Sequence, residues 1–104
     1  MKRCAHLLAS LLCAWVLWED LESARGGTKE HVIKPIDAAE SRADCRALLG
    51  RRLDEVAGRT MSQGWRRTRT ASEFFEVSPD GTLSLGVKLT CLPNGTDPRP
   101  RGRE

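Results

Sequence analysis

Residues 82–92 read T-L-S-L-G-V-K-L-T-C-L, and this alternation decides how the rest of the chain is interpreted. Leu83, Leu85, Val87, Leu89 and Cys91 fall on one side, Thr82, Ser84, Gly86, Lys88 and Thr90 on the other. A period of two is that of a half-buried antiparallel strand. Such a strand needs a second apolar layer over its leucine row. The row ends in a cysteine, so the covering layer can be tied to it covalently.

Working backwards, Ser72–Val77 (S-E-F-F-E-V) reads as a second strand, with Phe75 and Val77 on one face and Phe74 and Glu76 on the other. Ser78-Pro79-Asp80-Gly81 between the two supplies a turn. Proline presets φ at the first central position and glycine accepts a positive φ near the end, so a hairpin is expected.

The covering layer comes from the middle of the chain. Asp37-Ala38-Ala39-Glu40 and Ser41-Arg42-Ala43-Asp44 each offer an N-cap with an acid three residues on, and a helix starts from one of them. It is expected to run to Ala57, with Gly58 as the C′ terminator. At 100° per residue Cys45, Leu48, Leu49, Leu53 and Val56 gather on one side, while Arg51, Asp54 and Glu55 lie around the other. Arg52 falls among the apolar residues. It either snorkels its stem across the leucines or is paired, and the sequence names no acid for it.

Cys45 on the helix and Cys91 on the strand both point into the helix-on-sheet interface, which predicts a structural disulfide. The enclosed loop corresponds to about 4 kcal/mol in the chain-entropy model. Spacing argues against a redox C-x-x-C pair and against a structural zinc site. No cofactor is expected.

Upstream, Lys2-Arg3 followed by the apolar run Cys4–Trp18 reads as a secretory signal peptide, too short to cross a bilayer comfortably. Cleavage after Ala14 is favoured over Ala24, which would place Glu22 at the third position back. Leu12 speaks against lipidation at Cys13. Cleavage after Ala14 removes Cys4 and Cys13, leaves Cys45 and Cys91 as the pair expected of an exported protein, and takes the charge from +3 to +1. That balance does not imply a nucleic-acid binder, and no stable membrane insertion is expected after signal cleavage.

Trp15–Glu22 then forms the first strand, Ser23–Glu30 a polar loop with Gly26-Gly27, and His31–Ile33 a brief extension before Pro35. The expected domain is α+β, in the order strand, helix, strand, strand: a small antiparallel sheet with one helix packed on it and one disulfide. Boundaries are 1–14 for the signal, 15–93 for the domain and 94–104 for a flexible tail rich in Pro, Gly and Arg. Asn94-Gly95-Thr96 matches the glycosylation acceptor pattern.

Catalysis has little to rest on. His31 is the one histidine after the signal, and the chain has no G-x-S-x-G, H-E-x-x-H or phosphate loop. A non-enzymatic interaction module with an envelope or extracellular protein as partner is expected. Its contact residues would be Arg66, Arg67 and Arg69, Lys88 with Thr90, and Asp97-Pro98-Arg99. The basic cluster reads more readily as a solvated loop or a charge-protected edge strand than as a contact site. Rivals are a small secreted enzyme or enzyme inhibitor, and a membrane-anchored subunit with an uncleaved N-terminal segment.

Three patches, Trp15-Val16-Leu17-Trp18, D-C-R-A-L-L around Cys45, and C-L-P-N-G-T-D-P-R from Cys91, resemble a group of small exported bacterial proteins of unknown function. These start A-W-V-L-W and end C-L-P-D-x-x-D-P-R. The match covers Cys91, Leu92, Pro93, Asp97, Pro98 and Arg99, with Asn94 at the group's aspartate. The resemblance implies cleavage before Trp15, a periplasmic or secreted location and the Cys45 to Cys91 pairing. It implies no activity.

Overall fold

The computed structural model describes residues 14–59 and 64–99. The expected signal segment, apart from Ala14, lies outside the described residues, as do 60–63 and the tail beyond Arg99. The described chain forms β1 (Trp15–Arg25), β2 (Thr28–Ala39), α1 (Arg42–Arg59), β3 (Arg66–Arg69), β4 (Glu73–Val77) and β5 (Leu83–Pro93). All pairings are antiparallel, in the order β2-β1-β5-β4-β3, and α1 packs on one face.

The α+β class, the helix and the antiparallel sheet therefore match the sequence reading, but the strand order does not. Two strands are added. Residues 23–30 are not a loop. β1 continues to Arg25, turns through Gly26 and Gly27 at φ 50° and 96°, and returns as β2 from Thr28. A two-residue turn with both central residues at positive φ matches the twist of the strands it joins, and two glycines adopt it without steric cost. β2 reads T-K-E-H-V-I-K-P-I-D-A-A and lacks an apolar stripe because it is an edge strand. Pro35 is tolerated because its missing N–H faces the free rim. The second added strand is β3, the basic cluster itself, at the opposite edge.

β1 lies between β2 and β5 and pairs with β5 from Trp15↔Pro93 to Arg25↔Leu83. Its odd residues share the helix-side face with the odd row of β5: Leu17 sits opposite Cys91, Glu19 opposite Leu89 and Leu21 opposite Val87. A bulge beside Leu17/Trp18 shifts the β1–β2 register by one residue, which turns Ile36 and Asp37 together toward the helix.

Of the two candidate caps, Ser41 starts α1: its hydroxyl accepts from the Asp44 N–H at 3.0 Å and its carbonyl from the Cys45 N–H. Gly58, expected as terminator, lies inside α1 without a positive φ. Cys45, Leu48, Leu53 and Val56 are buried against Leu17, Ala39, Phe74, Val87 and Leu89. Each large side chain fully buried here contributes roughly 1.5–3 kcal/mol. Cys45 and Cys91 are joined in a disulfide, 6.1 Å between Cα atoms.

The β4–β5 turn forms as expected, with the Gly81 N–H donating to the Ser78 carbonyl at 2.9 Å and Gly81 at φ 77°. Asp80 accepts from the Thr82 N–H and from the hydroxyls of Thr82 and Ser78. These bonds, the Thr82 backbone first, lower its pKa from 3.8 to about 2.

Candidate functional site

The helix covers one face of the sheet, and polar and aromatic side chains collect on the other, some exposed and Trp18 buried. β1 contributes Trp18, Asp20 and Glu22, β2 contributes His31 and Ile33, β5 contributes Lys88 and Thr90, and β4 contributes Glu73 and Phe75, all by alternation from the buried rows. Lys88 stands directly opposite Asp20 on one side and Glu73 on the other. His31 Nε2 meets Asp20 Oδ1 at 2.5 Å and lies 4.0 Å from Glu22 Oε2. Cross-strand opposite charges of this kind contribute a few tenths of a kcal/mol each in water. They set the charge pattern of the face more than its stability.

The apolar centre of the face is Phe75, 46% exposed. Its ring lies over Gly86 of the neighbouring strand, so that a Cβ built there would come within 3.2 Å of the ring. Glycine at this even position of β5 leaves room for the ring to lie flat, the arrangement by which an aromatic covers a glycine on a paired strand.

Residues 94–99 run back across the same face. The Asn94 N–H donates to the Ala14 carbonyl at 2.8 Å. Arg99 is paired with Asp97 through several hydrogen bonds, the shortest 2.6 Å, and its guanidinium stands 5.2 Å from the Trp18 ring centroid. The Asp97 pairing raises the Arg99 pKa further above its ordinary value. Trp18, Asp20, Ile33, Lys88, Thr90 and Pro98 line a groove of about 170 Å³. The indole N–H of Trp18 is buried without a hydrogen-bond acceptor among the described residues.

The structure thus brings Lys88, Thr90 and the 97–99 segment together and separates most of the basic cluster from them. Arg67 and Arg69 stand opposite Glu76 and Phe74, on the helix side. Arg67 Nε lies 3.4 Å from Glu76 Oε1, and Arg69 Nη2 bonds Asp54 Oδ1 of α1 at 2.6 Å. Arg66 shares the uncovered face with Val77 and is exposed.

Arg52, the discordant helix residue, is paired rather than merely snorkelled. Its Nε donates to Glu19 Oε2 at 3.0 Å and its Nη2 to Oε1 at 3.2 Å, with Glu19 buried beneath it. Two forked donors on one carboxylate are the geometry in which arginine holds a buried acid. The acid, which the sequence reading did not name, is the polar member of the odd row Trp15, Leu17, Glu19, Leu21 on the helix-side face of β1.

Comparison of the chain with family models, curated proteins and solved structures returns no match. Among the described residues, no group of three or more His, Cys, Asp and Glu is placed to hold a metal ion, and no helix is long and apolar enough to cross a membrane. On the helix side a second depression of about 540 Å³ lies between Ser23, Glu30, Trp65 and Leu85, with Glu76 in its wall. The acid there is already answered by Arg67.

Trp18, Asp20, Glu22, His31 and Phe75 were not among the expected contact residues. Continuing the period-2 alternation of β1 would have placed its three. His31 was hidden by the reading of its strand as a loop.

Proposed function

We propose that the protein is a non-enzymatic interaction module of the bacterial envelope or extracellular space, exported by the segment 1–14 and cleaved before Trp15. It engages a protein partner through the uncovered face of its sheet. The observation that carries this reading is the one-sided architecture: a helix closes one face, while the other leaves Phe75 at 46% exposure beside Lys88. Exposed aromatics flanked by charge are the composition of contact surfaces. The disulfide supports an oxidising compartment.

Photo-cross-linking tests it. A benzoyl-phenylalanine replaces Phe75 in one version of the exported protein and Arg51, an exposed residue of α1 away from the Phe75 face, in another. The reading expects a discrete adduct from position 75 and none from position 51. Equal patterns from both would remove the face from consideration.

A further inference from the structure

The rim of β2, which the Phe75 face does not include, has its own complementarity. β2 ends the sheet order, so among the described residues no strand pairs with its outer side. The Gly26-Gly27 turn makes Arg25 and Thr28 a hydrogen-bonded pair, and the ladder alternates from there through Ser23↔Glu30, Leu21↔Val32 and Glu19↔Lys34. Thr28, Glu30, Val32 and Lys34 therefore turn their backbone groups toward β1. Lys29, His31, Ile33 and Pro35 turn theirs to the free rim.

Along this rim the side chains on the helix side run Glu30, Val32, Lys34, all exposed, with Val32 at 49%. The triplet is self-complementary under an antiparallel two-fold axis. With the axis at Val32, Glu30 faces the second copy's Lys34 and Lys34 faces its Glu30, while the two Val32 side chains meet at the centre. The backbone agrees: His31 then faces the second copy's Ile33, and Lys29 its Pro35, so rim-facing groups meet rim-facing groups and can bond. Pro35 removes one donor at each end of the ladder but keeps its carbonyl.

Neighbouring registers fail. Placing the axis at His31 or Ile33 sets a charge against Val32, and placing it at Glu30 or Lys34 sets like charges together. An axis between residues opposes rim-facing to inward-facing backbone and gives no ladder.

We infer that β2 pairs with β2 of a second copy about an axis at Val32, joining two five-stranded sheets into one continuous sheet. The strand is a docking rim for this chain itself, in the manner of strand addition at a sheet edge.

Sedimentation equilibrium of the oxidised, exported protein from micromolar to millimolar concentration tests it, with E30K and K34E separately and mixed. The parent should self-associate. Each variant alone opposes like charges twice and should associate at least about tenfold more weakly. The equimolar mixture restores both attractions and should recover association. Because Lys34 stands opposite Glu19, K34S is measured too. It should fall between parent and K34E, with its melting temperature kept. A parent monomeric at millimolar concentration, single variants that associate like the parent, or a mixture of folded variants that stays monomeric would each overturn the pairing.

Discussion

Phe74 and Phe75 are neighbours in the chain and belong to opposite faces of the molecule, one 2% and the other 46% exposed. On the Phe74 face every device closes the structure: the apolar side of α1, the Cys45–Cys91 disulfide, and the Arg52–Glu19 and Arg69–Asp54 pairs. On the Phe75 face the charges are solvated, Lys88 stands between acids, and the 94–99 segment covers Trp18 while leaving Phe75 bare. One reading of hydrophobicity cannot serve both faces of the five-stranded sheet, because only one of them is buried. In a small domain the closed face needs covalent and ionic help, since its apolar core alone supplies a narrow margin.

The comparison breaks most readily at the disulfide. Replacing Cys45 and Cys91 by serine should lower unfolding stability by about 4 kcal/mol, read by urea denaturation against the oxidised parent. A loss below about 1 kcal/mol would mean that the crosslink adds little to the closed face.

The next largest effect sharpens the role of the ion pair. Arg52→Leu strands the Glu19 carboxylate in the core and should cost about 3 kcal/mol, whereas Arg52→Leu with Glu19→Leu should recover most of that loss. Equal losses in the single and double variants would show that the pair is worth its charges as well as its volume.

What the sequence made legible follows the same division. β5, the β4–β5 turn, the helix and its disulfide partner residue were readable because each has a periodic apolar face or a turn with a stated φ requirement. β2 was not, since an edge strand exposed over most of its length carries no stripe, and Gly26-Gly27 reads as a loop as easily as a hairpin turn. The partner of Arg52 lay 33 residues away, a distance that only the fold brings into contact. Arg67 and Arg69 looked like one basic patch with Arg66, but strand alternation divides such a run between two faces. The uncovered face was half visible, through Lys88 and Thr90, and its aromatic centre was settled by the β4–β5 register.

Hydroxyl-radical footprinting of the oxidised protein, read by peptide mass spectrometry at residues 74 and 75, tests the two-faced account most directly. The account predicts strong labelling of Phe75 and protection of Phe74. Equal labelling of the two phenylalanines, or stronger labelling of Phe74, would contradict it.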